Sequence, residues 1–169
     1  MKIFVLAISC TAALLAQGPD WKSLSGTARA IQNAVKGNML KSADKMSDEQ
    51  YSFKPTPDIR SYGQLIGHLA DANNTFCSAS LGIPNPAPGI EKSKTSKADL
   101  VAALQAAMTL CDKAYDINDE KATEIVKFRN QERSRLSLLQ FNSYHSNLHD
   151  GNLVTYMRLK GVTPPSSEK

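Results

Sequence analysis

Ser143–Lys160 reads SYHSNLHDGNLVTYMRLK. Extended back to Gln131, it has the period of one long helix, with a stripe of Leu138, Phe141, His145, Leu148, His149, Asn152, Tyr156 and Leu159. Gly161 is suited to end that helix, Arg158 and Lys160 suit the negative end of its dipole, and Pro164-Pro165 prevents continuation. His145 and His149 stand at i and i+4, on one face and about 6 Å apart along the axis. The sequence holds 3 histidines. The third, His68, falls in Ser61–Asn74, SYGQLIGHLADANN, on the apolar stripe of a second helical pattern with Leu65, Leu69, Ala72 and Phe76. All three occupy inward faces, so the fold is expected to bring them together.

Imidazoles at i and i+4 can reach a common ion at about 2.0–2.1 Å, but two ligands bind weakly. His68 from a facing helix would complete a three-protein-ligand set with a position left open, the arrangement of catalytic rather than structural zinc. A divalent ion so held can activate water or a thiol at neutral pH. The competing reading is three satisfied core histidines, since H-x-x-x-H also arises by chance, and spacing alone leaves both open. Asn152, one turn beyond His149, would either orient a ligand or satisfy a buried polar group. Asp71, three residues after His68, would accept an imidazole N–H or face solvent. Tyr144, Asp150 and Arg158 read as structural or exposed.

At 169 residues, with 41% hydrophobic and 21% charged content, the chain suits one globular domain with a real core. The net charge of +4 is mild. Lys127, Arg129, Arg133 and Arg135 read as the solvated start of a helix, not as the dense basic stripe a nucleic acid requires. Met1–Ala16, MKIFVLAISCTAALLA, has a lysine, an apolar run and then small residues. It is too short for an ordinary membrane span and matches a secretory signal peptide cleaved near residues 16–18. Cys10 in a loose lipid-attachment context is a lesser alternative. The expected organisation is a signal peptide over 1–18, a domain over 19–165 and a loose tail over 166–169. The mature protein is expected to be exported, periplasmic or secreted, without stable membrane insertion. Cys77 and Cys111 then remain, an even count for an oxidising compartment. They either pair or act as buried thiols, and neither lies in a C-x-x-C motif.

Helix one is expected over Trp21–Met46, on a stripe of Leu24, Ala28, Ile31, Val35, Met39 and Met46. Pro55 and Pro57 make 48–59 a connector, with Tyr51 and Phe53 folded back on the bundle. Ser61 and Gln64 form a capping box that starts helix two. Gly67 beside His68 admits a neighbouring backbone. The segment 82–94, with Pro84, Pro86, Pro88 and Gly89, is longer than a helical hairpin needs and permits a parallel crossover into helix three, capped by Ser96 and Asp99. In that arrangement Cys77 and Cys111 would lie at similar heights, each ~22 Å beyond its cap. The polar segment 116–130 contains Ile125–Phe128, either a short extended piece or a helical turn.

Tyr144–Pro165, YHSNLHDGNLVTYMRLKGVTPP, resembles the closing motif of the DinB/YfiT-like superfamily: H-x-x-x-H, a Gly and an amide, then Tyr-x-Arg-Leu and a Gly-Val-x-Pro exit. Phe53-Lys54-Pro55 ahead of the Ser61-capped helix with His68 is similar to the same family's earlier pattern. The resemblance spans about residues 21–165. It implies an all-α four-helix bundle with a long crossover between helices two and three, often dimeric. It also implies a divalent metal, commonly zinc or nickel, on His68, His145 and His149. Many members carry Arg-Gly-Gln after the last histidine, where this chain has Asp150-Gly151-Asn152. Characterised relatives include thiol-dependent transferases and isomerases. The expected function is a metal-dependent hydrolase or transferase acting on a small molecule. The alternative is a non-enzymatic metal- or small-molecule-binding bundle. The residues do not choose between homodimer and monomer.

Overall fold

The computed structural model describes residues 18–168. The expected signal peptide therefore lies, but for Gly18, outside the described residues. Four long helices carry the fold: α1 Leu24–Lys45, α2 Tyr62–Leu81, α4 Lys97–Tyr115 and α6 Arg135–Leu159. Shorter pieces join them: α3 Ile90–Ser93, α5 Asp119–Thr123, and a hairpin of β1 Ile125–Phe128 and β2 Gln131–Ser134. Among the described residues no helix is long and apolar enough to cross a membrane.

The caps follow the sequence. Ser61 accepts from the Gln64 amide while the Gln64 side chain accepts from the Ser61 N–H, closing the capping box of α2. Ser96 caps α4 through the Asp99 amide. The Asp99 carboxylate bonds the Ser96 hydroxyl instead of reaching the backbone N–H. Gly82 and Gly161, both at positive φ, end α2 and α6, where other residues would be strained.

The last helix is shorter than its periodicity suggests. Gln131–Ser134 is the second strand of the hairpin, and α6 begins at Arg135, capped by Ser134 through the Ser137 amide. The turn residues Arg129 and Asn130 both take positive φ, which reverses the chain and pairs Phe128 with Gln131. Ile125–Phe128 is thus the extended alternative.

The order of contacts gives the topology. Tyr62 donates to the Ser42 carbonyl near the end of α1, so α1 and α2 run antiparallel, on a diagonal of the bundle with α4 and α6 packed between them. Leu100 touches α2 at Gly63 and Gly67, and Cys111 bonds Cys77 further along both helices, so α2 and α4 run parallel, as the long crossover permits. The disulfide, left open by the sequence, is formed, with Cα atoms 5.1 Å apart. Tyr156 reaches the Arg60 carbonyl and Asn142 reaches Asn73, so α6 runs antiparallel to α2.

The main apolar core joins Met39, Met46, Tyr62, Ile66, Leu69, Leu104, Met108, Leu153 and Met157, and a smaller one surrounds the disulfide. Tyr51 is buried and Phe53 packs against the core, as expected. Several apolar residues of the predicted stripes face outward instead: Leu24 and Ile31 on α1, and Phe141, Leu148 and Leu159 on α6. Their inward places go to Ser25, Gln32 and Ser42 on α1 and to Asn142, Ser143, Ser146 and Asp150 on α6. Between the two cores lies a polar layer. Asn142 donates to Asn73 Oδ1 at 2.9 Å, Asn73 donates to the Leu69 carbonyl and to Ser146 Oγ, and Ser143 bonds Gln32 and Tyr115. Asn142 and Ser146 flank His145 in sequence, so their bonds to Asn73 fix the register that sets His145 opposite His68.

Candidate metal centre

His68 on α2 and His145 and His149 on α6 meet at one place. Each offers a ring nitrogen, and the three lie within 4.8 Å of one another. The Nε2 atoms of His68 and His145 are 3.3 Å apart. Two nitrogens bound tetrahedrally at about 2.0–2.1 Å would stand roughly 3.3 Å apart, so the spacing fits a shared small cation. All three rings are half-buried. Phe76, packed on Phe128 and Phe141, closes the side of the site at His145.

The second ring nitrogens differ in their partners. His68 Nδ1 lies 3.3 Å from Glu91 Oε2, and Arg60 Nε donates to Glu91 Oε1 at 2.8 Å. With Nδ1 donating, the His68 lone pair is on Nε2, the atom turned to His145. His149 Nδ1 is 3.2 Å from the amide of Asn152. Rotating that amide by half a turn sets its oxygen to accept from Nδ1–H and leaves the His149 Nε2 lone pair available. His145 Nδ1 is buried without a hydrogen-bond partner among the described residues, so its Nε2 is the nitrogen with a role to play.

Glu91 is the contributor that the sequence did not reveal. It stands on α3, inside the crossover, and reaches His68 because two other residues seat α3 against α2. A Cβ on Gly67 would come within 2.8 Å of Glu91 Cα, so only glycine lets the backbones approach this closely. Asp71 accepts from the Ile90 and Glu91 amides at 2.8 and 2.9 Å. Asp71 therefore neither accepts from an imidazole nor faces solvent unpaired; it holds the segment that supplies the carboxylate. The glycine beside His68 was the one sequence signal of this approach. Asn152 stands beside His149, within hydrogen-bond distance of its Nδ1. Asp150 is buried, with its Oδ1 lacking a hydrogen-bond partner among the described residues, and burial raises its carboxyl pKa. Tyr144 and Arg158 are exposed and take no part in the site.

Burial lowers the pKa of all three histidines, and Arg60 nearby adds to it. For His149 the value falls to about 4, through desolvation first and then the neighbouring His145 and His68. The rings are accordingly neutral near pH 7, the form that ligates metal. A cleft of about 480 Å³ opens beside them, lined by Asp58, Ile59, Arg60, Leu65, Glu91, His149, Asn152 and Tyr156.

A helical bundle with three convergent histidines on two antiparallel helices defines a class, and the comparisons identify it. The model of the DinB superfamily matches residues 33–153, and the chain belongs to that superfamily. Among solved structures, a DinB-like protein from Bacillus cereus ATCC 10987 superposes with a TM-score of 0.73 at 19% identity, covering 86% of this chain and 98% of that one. A DinB-like protein from Bacillus subtilis gives 0.64 at 20% identity, covering 81% and 93%. A conserved protein from Enterococcus faecalis gives 0.65 at 17%, covering 81% and 96%. At these identities the likeness concerns the fold. A comparison with curated proteins gives no match.

Proposed function

We propose that His68, His145 and His149 hold one divalent cation, zinc or nickel, and that the protein is a metal-dependent hydrolase or transferase acting on a small molecule in the adjoining cleft. The convergence of the three ligand atoms within 4.8 Å carries this reading. A bound ion would supply Lewis acidity and an open coordination position. The chain's own residues prepare for it. Glu91 orients His68 and increases its basicity, Asn152 orients His149, and the Phe76 cluster keeps water from the side of His145.

A non-enzymatic metal- or small-molecule-binding role is the second reading. It draws support from the engagement of the cleft's acid–base groups: Glu91 is held by Arg60 and His68, and Tyr156 donates to the Arg60 carbonyl. We also read the protein as exported. The signal-like residues 1–18 and the Cys77–Cys111 disulfide, a bond that persists in oxidising compartments, support this.

Elemental mass spectrometry on the wild type, His68→Ala and His145→Ala tests the site. Near-stoichiometric metal that is lost in both variants is expected. A wild type that stays metal-free after incubation with zinc and nickel overturns the reading. Turnover of any substrate in a broad hydrolase and transferase panel, abolished by His149→Ala, separates enzyme from binding protein.

A further inference from the structure

Arg60 stands at the end of the connector, immediately before the cap of α2, and lines the cleft beside His149. Its side chain is 43% exposed. Two contacts fix it: its Nε donates to Glu91 Oε1, and its carbonyl accepts from Tyr156, which lines the same cleft. Among the described residues its two Nη groups make no hydrogen bond. Glu91 thus ties the guanidinium to His68, one carboxylate oxygen on each. The Arg60 charge acts on all three histidines, helping to hold each in its neutral form. Ile59 and Leu65 supply an apolar wall in the same cleft.

We infer that Arg60 is the anchor for a substrate carboxylate, and that the cleft takes a small carboxylic acid whose reacting group points to the histidines; this rests on the metal reading above. A guanidinium with Nε occupied still presents its two Nη groups, one N–H of each matching an oxygen of a carboxylate. The volume of about 480 Å³ is in the range of small-molecule sites, and the Ile59–Leu65 wall fits a short aliphatic stem. Asp58 also lines the cleft and, with Glu91, disfavours a doubly charged phosphate more than a singly charged carboxylate. The anchor is prepared before the ligand arrives, because the bond to Glu91 and the backbone bond from Tyr156 restrict where the guanidinium can go.

The test uses zinc-loaded protein and hydroxamates, which take an open metal position, bearing a terminal carboxylate after one, two or three methylenes. Each is compared with its neutral, amide-terminated counterpart by titration calorimetry. For at least one length the carboxylate is expected to bind about tenfold tighter than the amide, the range of a charge-assisted hydrogen bond. That preference, read as the ratio of carboxylate to amide affinity, should vanish in Arg60→Ala, return in part in Arg60→Lys, and persist in Asp58→Asn. Should Arg60→Ala lose zinc, Arg60→Gln provides the same comparison. Equal binding of the two tails at every length, or a carboxylate preference that survives loss of Arg60, overturns the inference. Failure of zinc-loaded protein to bind either kind of hydroxamate overturns the open-position reading, and the inference with it, and is distinct from equal binding.

Discussion

His68 Nδ1 lies 3.3 Å from Glu91 Oε2, although the two residues belong to different helices and Glu91 sits on a single helical turn within the crossover. The contact makes the crossover part of the site. It fixes the His68 tautomer with the lone pair on Nε2 and connects the ring to Arg60 through the other carboxylate oxygen. Glu91→Gln is expected to weaken zinc binding about 10–100-fold with little change in helix content. Competition against a chromogenic chelator measures it, and unchanged affinity would refute the role given to Glu91.

Gly67 bears on the same contact from beneath. A methyl group there would meet Glu91 Cα at 2.8 Å, and that neighbour is backbone, which yields poorly. Gly67→Ala should cost about 1–3 kcal/mol in denaturant unfolding and should weaken metal binding as Glu91→Gln does. Ala at Gly151, where a Cβ meets nothing within 4 Å, is the matched control on a helix and should be neutral to stabilising.

Acid should destabilise the metal-free protein. The three histidines have lowered pKa values when folded and an ordinary value near 6.5 when unfolded. Between pH 6.5 and about 4, the value for His149, the unfolded chain binds more protons than the native one, so stability falls as pH falls. Above 6.5 this contribution is flat. Asp150, with its raised carboxyl pKa, works in the opposite sense at the acid end. Chemical denaturation at pH 7.5, 6, 5 and 4.5 should show the decline, and His149→Gln should reduce its slope. Metal release should track the same window, because only the neutral rings ligate.

The disulfide closes a loop between residues 34 apart and ties α2 to α4 beside the smaller core. Loop-closure entropy puts its worth at about 3–4 kcal/mol. Cys77→Ala with Cys111→Ala should lower stability by that order, with a further loss from the cavity among Ala28, Ala114, Tyr115 and Leu139. Metal stoichiometry should survive, since the main core and the Asn142–Asn73 bond still join the histidine-bearing helices when the sulfur contacts of Asn142 are lost.

Asn73 provides the other register lock. Asn73→Ala leaves Asn142 and Ser146 without their partner on α2, at an expected cost of about 1–3 kcal/mol. The same variant should loosen zinc binding, because Asn142 and Ser146 flank His145. Loss of stability with unaltered zinc affinity would show that the histidines are held by other contacts.

Much of this protein was legible in its sequence because the signals are local. Caps at Ser61 and Ser96, the terminating Gly161 and a helical spacing of His145 and His149 act within one or two turns of chain. The length of the crossover also bounded the topology, since a parallel neighbour needs the extra chain. Apolar periodicity misled where the inward face is polar. Leu24, Ile31 and Leu148 face out while Gln32, Asn142 and Ser146 are buried, because those polar groups satisfy one another across helices. The hairpin at Ile125–Ser134 was ambiguous because its turn is Arg129-Asn130 rather than a glycine pair, and its positive φ values are secured by strand pairing. Sequence alone set the helices and the candidate ligands. Tertiary structure decided that Glu91 rather than Asp71 supports His68, that Cys77 meets Cys111, and that Arg60 shares the cleft. Each of these depends on how closely separate elements approach, and a single missing Cβ at Gly67 governs that distance for α3 and α2.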